Sequence, residues 1–303
     1  MVTDTDPLAH DAIEAIDAAF GEHDGRAVHV KGAWARGTFT GTPEGAALCR
    51  APFLAGAPVA ALVRFSNGGG DPAAHDGGRD GRGIGVKLFL PDGTVTDLLG
   101  LSVPMFSSRT PEDFVELVRL ARNPENMGTF LEAHPETLAS IQARFAIAPP
   151  ESWTDLPYNG IHAFRWTAPD GEARWVRTRW TPDEPRDGLT DEEAAAREPG
   201  YLASALRERL AGDGTQAFTL LARLAQDGDP LDDPTAAWPE EREAVAVGRL
   251  VIEEAIDDPE TPDDIHVFDP LRLCDGIEPS DDPILHFRRR AYDVSARRRW
   301  SGE

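Results

Sequence analysis

The sequence predicts an α+β fold built on a mainly antiparallel sheet or barrel. Strand-like segments cluster early in the chain and helical segments follow them. No regular alternation of strand and helix runs through the chain, which argues against a doubly wound parallel fold. The 303 residues are 41% hydrophobic, enough for a sizeable core in one or two domains and too apolar for a disordered chain.

The elements follow in order. A helix is expected over 8–20: Asp6 can cap it, Pro7 suits its first turn, Gly21 ends it, and Leu8, Ile13, Ile16 and Phe20 make an apolar face. Val28-His29-Val30 is strand-like and leads into a strand over 33–39. Strands over 60–65 and 84–90 come next, and the turn Pro91-Asp92-Gly93 leads to another over 95–99. A helical block opens at 111–122 and continues towards Ala146. Segments 160–167 and 174–180 form a hairpin around Asp170-Gly171. Residues 181–260 carry 21 acidic and 7 basic side chains, a balance of −14, which predicts a solvated, partly irregular region. A last helix should start between Ser280 and Pro283 and run through Tyr292.

Charge and cysteine content exclude several classes. With 53 acidic and 30 basic residues the net charge is −23, so nucleic acid and anionic membrane surfaces would repel the chain. The start, Met1-Val2-Thr3-Asp4-Thr5-Asp6, lacks the basic-then-apolar order of a signal peptide. The most apolar stretch, 51–63, is short and holds two prolines, so no membrane span is expected. Cys49 and Cys274 are the two cysteines and no CxxC occurs, which fits a reducing cytoplasm better than a disulfide scaffold or a thiolate metal site.

Generic motifs are missing. Gly81, Gly83 and Gly85 do not have dinucleotide-loop spacing, and there is no P-loop, zinc helix or nucleophile elbow. An ordered series of blocks nevertheless stands out. It runs Arg26-Ala27-Val28-His29-Val30-Lys31-Gly32-Ala33, Val63-Arg64-Phe65-Ser66, Arg79-Asp80-Gly81-Arg82-Gly83-Ile84-Gly85-Val86-Lys87, Asp97-Leu98-Leu99-Gly100 and Pro104-Met105-Phe106. It continues through Asp233-Pro234-Thr235, Trp238-Pro239, Gly248-Arg249-Leu250, Phe268-Asp269-Pro270 and Gly276-Ile277-Glu278-Pro279-Ser280, and ends at Arg288-Arg289-Arg290-Ala291-Tyr292. Both lysines, Lys31 and Lys87, lie inside these blocks. In this order, from about residue 26 to 299, the blocks resemble the catalase superfamily.

The resemblance implies an antiparallel catalase-type β-barrel with surrounding helices, and haem b buried between the barrel and the C-terminal helix. Tyr292 matches the tyrosine that holds the iron. A free phenol titrates at roughly 10, so ligation needs a neighbour that favours the phenolate. Arg288 lies one turn before Tyr292, and Arg299 falls within about 40° of both if the helix continues. His29 matches the distal base, which moves a proton between the two peroxide oxygens, and Ser66 the serine that orients it. Arg26 and Arg64 match propionate-binding positions, where bidentate pairing suits a carboxylate, and Arg299 on the helix face adds a third cation for the two propionates. Phe106 and Phe114 match aromatics that pack on the haem.

Departures from the family point to its minimal members, the catalase-related peroxidases. Leu101 stands where catalases carry a distal asparagine, Asp293 where many have proline. The expectation is one haem-binding domain over 1–303, with neither an N-terminal arm nor an extra C-terminal domain. The implied activity is a haem peroxidase that reduces organic hydroperoxides or hydrogen peroxide with a small organic donor. Fatty-acid hydroperoxide rearrangement of the allene oxide synthase type, weak catalase activity and non-catalytic haem binding stay open, as does homo-oligomerisation.

Overall fold

The computed structural model describes residues 6–261 and 264–301. Helix α1 (Pro7–Phe20) opens the chain as expected: the Asp6 carboxylate accepts from the Leu8 and Ala9 N–H groups at 3.1 and 3.2 Å, and Gly21 ends the helix at φ 93°. Ile13 and Ile16 are buried, whereas Phe20 lies exposed at the helix end. Strands β1 (Gly32–Gly41), β2 (Val59–Asn67), β3 (Arg82–Phe89) and β4 (Val95–Leu101) follow as an antiparallel meander, with α2 (Pro43–Leu48) between the first two.

Helices α3 (Pro111–Leu120), α4 (Met127–Ala133) and α5 (Pro135–Ala146) form the expected helical block. Then come β5 (Tyr158–Asn159), β6 (Phe164–Thr167), β7 (Ala173–Pro182), α6 (Asp191–Ala195), α7 (Tyr201–Arg209), β8 (Gln216–Leu224), β9 (Ala244–Ile256), β10 (Ile277–Pro279) and α8 (Pro283–Ser301). Eight strands close a ring in the order β1-β2-β3-β4-β5-β7-β8-β9, with β9 pairing back to β1 and every pairing antiparallel. Closure removes the exposed sheet edges that an open sheet of this size would leave. β6 and β10 extend from β7 outside the ring.

Period-two alternation explains how this barrel positions a site. Val59, Ala61, Val63 and Phe65 of β2 point inward with Ile84, Val86 and Leu88 of β3, and all are buried in the core with Phe39, Trp180 and Phe218. Yet Arg64 and Ser66, on the outer face of β2, are also buried, at 6% and 4% exposure. A polar outer face that is buried needs a cover, and here α1, α3 and α8 supply it.

The structure corrects the sequence reading in three places. Residues 28–30 are a bend, not a strand, because pairing of β1 with β2 starts at Gly32 opposite Ser66. The strand expected over 160–167 is interrupted: Asn159 pairs with Arg179 and Gly160 still donates to Thr178 O at 2.7 Å, pairing resumes at Phe164 opposite Val176, and residues 161–163 lie outside the ladder between them. The acidic region contains the long barrel strands β8 and β9, whose Val247, Leu250 and Ile252 face the core; of its 21 acidic residues only Glu253 and Glu254 lie on these strands, and the rest sit in the helices, turns and loops around them. Among the described residues no helix is long and apolar enough to cross a membrane.

Candidate active site

A cavity of about 270 Å³ lies between the outer face of the barrel and the covering helices. Two cross-strand rows make its floor. One runs Ser66–Gly83–Leu101 and the other Arg64–Gly85–Leu99. All nine residues singled out by the sequence, namely Arg26, His29, Arg64, Ser66, Phe106, Phe114, Arg288, Tyr292 and Arg299, line this one cavity, and so does Leu101.

His29 sits at φ 56°, the only non-glycine residue at positive φ among those described. This left-handed bend turns the ring towards the barrel, where Nδ1 lies 3.0 Å from Ser66 Oγ. Gly83 makes the approach possible: a Cβ there would fall 2.9 Å from His29 Cε1 and 3.1 Å from Ser66 Oγ. Burial pushes the imidazole down to about 4. Asp80 opposes this, and Arg64, Arg288 and Arg26 reinforce it. His29 is therefore neutral near pH 7, with Nδ1 engaged and Nε2 available as a base.

Tyr292 lies on α8, and its oxygen accepts from Arg288 Nε at 2.9 Å and Nη2 at 2.7 Å. Two cationic donors on one phenol oxygen suit an anionic ligand atom. The other two tyrosines are committed elsewhere: the Tyr158 hydroxyl donates to Trp153 O at 2.7 Å and the Tyr201 hydroxyl to Pro150 O at 2.8 Å. Arg288, Tyr292 and Arg299 share one face of α8, as their spacing predicts.

Two residues that the sequence did not reveal stand behind this clamp. Arg288 Nη1 lies 2.9 Å from His162 Nε2, and His162 Nδ1 lies 2.6 Å from Asp282 Oδ2. A guanidinium only donates, so His162 Nε2 accepts and Nδ1–H donates to Asp282. Burial pushes His162 down to about 4, against the pull of Asp282. Asp282 also caps α8 through the Ile284 and Leu285 N–H groups, at 2.8 and 3.2 Å. A helix-capping aspartate before Pro283 was a readable signal; His162, on the broken strand, had none.

Arg26, Arg64 and Arg299 gather at one end of the cavity. Glu260 joins Arg26 at 2.6 Å and Arg299 at 2.9 Å. Arg64 Nη2 donates to Val30 O at 3.1 Å, while Arg64 Nε and Arg299 Nε are buried without a partner. Trp34 lies under both Arg26 and Arg64, 5.2 and 5.6 Å from their guanidinium carbons. Burial lowers both arginines, and Arg64, also repelled by Arg26, falls to about 9. Glu260 is the carboxylate in contact with Arg26 and Arg299, and Asp258 acts on Arg26 and Arg64 from further off; the cationic excess and the two partnerless Nε groups fit a cofactor that carries carboxylates. Phe106 and Phe114 pack 5.6 Å apart at 31° on the cavity wall. Phe268 fills the second row, where a Cβ on Gly85 would lie 2.8 Å from its ring.

The catalase family model matches residues 20–303. A catalase-related peroxidase of Mycolicibacterium paratuberculosis is 40% identical over 294 residues, covering 95% of this chain and 93% of that protein. Another from Synechococcus elongatus is 34% identical over 299 residues, covering 96% and 88%. A crystal structure of a fungal catalase superposes with a TM-score of 0.82 at 25% identity, covering 91% of this chain and 59% of that one. Catalase A from Saccharomyces cerevisiae shares the fold, with a TM-score of 0.78 at 24% identity, covering 91% and 61%. The chain thus spans about six-tenths of the solved catalase chains and nearly all of the catalase-related peroxidases.

Proposed function

The chain belongs to the catalase family, and on that premise we propose that it is a single-domain, cytoplasmic haem b peroxidase that reduces organic hydroperoxides or hydrogen peroxide with a small organic donor. The observation that carries this reading is one cavity holding both a His29–Ser66 pair and a Tyr292–Arg288 clamp, with three arginines at its end, two of which keep a buried Nε without a partner.

The residues fit haem b. Tyr292, gripped by Arg288, would hold the iron; Arg26, Arg64 and Arg299 would hold the propionates; Phe106 and Phe114 would pack on the ring. When bound, haem b supplies a ferric iron that takes two oxidising equivalents from a peroxide and releases them one at a time. His29 takes the proton from the hydroperoxide's near oxygen and delivers it to the departing oxygen, which leaves as alcohol, or as water from hydrogen peroxide. Ser66 holds the imidazole in the tautomer and plane this transfer needs. In the balanced reaction one hydroperoxide and two hydrogen-donating reductant molecules give one alcohol, one water and two donor radicals. Leu101 offers no hydrogen bond to a second peroxide, which disfavours disproportionation.

The test is reconstitution with haem b, followed by steady-state turnover with cumene hydroperoxide and hydrogen peroxide, with and without a phenolic donor. A Soret band and donor-dependent turnover are expected. A protein with no Soret band overturns the reading, and hydroperoxide consumption without donor assigns rearrangement instead.

A further inference from the structure

Helix α1 precedes the family match except for its last residue, yet it walls the cavity. Ala12, Ile13 and Ile16 form a stripe one helical turn long that lines the space. The same stripe belongs to an apolar cluster separate from the barrel core, against which Val28 and Phe114 pack. Val28 immediately precedes His29, so the stripe borders the segment that carries the base. Ion pairs hold α1 in place along its length: Asp6 with Arg290 at 2.8 Å, Asp11 with Arg119 at 3.4 Å, and Asp17 with Arg298.

The catalytic groups come from the His29 bend, the barrel and α8, whereas this wall has no hydrogen-bonding side chain. Hydrogen peroxide gains nothing from such a surface, because it needs polar partners at both ends. A hydroperoxide with an alkyl or aryl group gains contact in proportion to the apolar area it buries. We infer that α1 sets the peroxide specificity of the site. Ala12, Ile13 and Ile16 receive the apolar group of an organic hydroperoxide, and Ala12, the smallest of the three, leaves the room for it. This deepens the peroxidase reading and rests on it.

The experiment compares haem-loaded wild type, Ala12→Phe, Ile16→Ala and, on the exposed side of α1, Glu14→Gln. The readout is the ratio of kcat/KM for cumene hydroperoxide to that for hydrogen peroxide with one phenolic donor. Ala12→Phe should lower this ratio about ten-fold or more by filling the pocket, and Ile16→Ala should lower it about three-fold by removing contact. Glu14→Gln should leave it at the wild-type value. Cumyl alcohol, the unreactive product, should bind the apoprotein by calorimetry about five-fold more weakly after Ala12→Phe. A ratio that stays constant in both cavity variants overturns the inference, and Ile16→Ala decides if Ala12→Phe does not fold. A wild type that binds haem but turns over neither peroxide overturns the peroxidase reading instead, and the alcohol binding then decides whether α1 forms an organic-group pocket.

Discussion

Arg288 grips the Tyr292 oxygen with two nitrogens from one turn away on α8, at 2.9 and 2.7 Å, and its third nitrogen is held by His162 at 2.9 Å. The guanidinium is therefore fixed on both sides. The phenol oxygen is oriented by the protein alone, so a metal would meet a preorganised ligand rather than a mobile side chain.

Tyr292→Phe removes that oxygen and keeps the ring. The variant should lose most of its haem on gel filtration after reconstitution, or retain it through the arginines with a displaced Soret band. Arg288→Leu leaves the phenol in place but without its cationic donors, and should weaken haem binding by roughly 10–100-fold. An unchanged absorption spectrum in Tyr292→Phe rejects Tyr292 as the iron ligand.

Gly83→Ala tests how the base is aimed. The added Cβ would press on His29 Cε1 at 2.9 Å and Nδ1 at 3.0 Å, and the ring can yield only by loosening its contact with Ser66. Misplacing a catalytic group by a fraction of an ångström is costly, so kcat/KM for peroxide should fall on the order of 10–100-fold. Haem affinity and the Soret maximum should stay at wild-type values. A variant that loses haem in parallel with activity would show that Gly83 shapes the pocket rather than the base.

Local spacing made much of this site legible and long-range pairing hid the rest. Arg288, Tyr292 and Arg299 share a helix, so their common face follows from 3.6 residues per turn. His29, Arg64 and Ser66 sit in short blocks whose order alone carried the resemblance. By contrast, His162 meets Arg288 across 126 positions and Glu260 meets Arg26 across 234, and no local pattern marks either. The strands β8 and β9 escape a regional charge count because the acidic residues crowd the helices and loops around them, whereas the strands themselves carry only Glu253 and Glu254. The left-handed turn at His29 was missed because nothing in Val28-His29-Val30 opposes a strand.

Acid should destabilise the apoprotein in a defined window. His29 and His162 are each pushed from 6.5 down to about 4 by burial. The unfolded chain therefore binds these protons first, and stability falls as pH drops from about 6.5 to about 4, levelling below. Each group contributes on the order of 3 kcal/mol across the full window. Urea unfolding at pH 7.5, 6 and 5 should show the slope, and His162→Gln should flatten it by about half, since carboxylate ion pairs titrate equally in both proteins. The same shift keeps His29 neutral, so kcat/KM for peroxide should stay level from pH 8 to about 5; a midpoint near 6.5 would contradict the buried environment of His29.

Arg64→Leu should act in opposite directions on the apoprotein and on cofactor binding. Arg64 is 6% exposed, its Nε has no partner, and the nearby Glu260 is already engaged by Arg26 and Arg299. A buried cation with so little compensation costs stability, and leucine keeps much of its aliphatic volume. The loss of its contact with Trp34 offsets part of the gain, leaving the apoprotein more stable by about 1 kcal/mol in urea unfolding. If Arg64 holds a propionate, the same change removes a buried charged partner, and haem affinity should fall about ten-fold or more in a titration followed at the Soret band. A variant that loses both apo stability and haem affinity would make Arg64 a structural residue. One that gains stability with haem affinity intact would take Arg64 out of the cofactor site and leave Arg26 and Arg299 to hold the carboxylates.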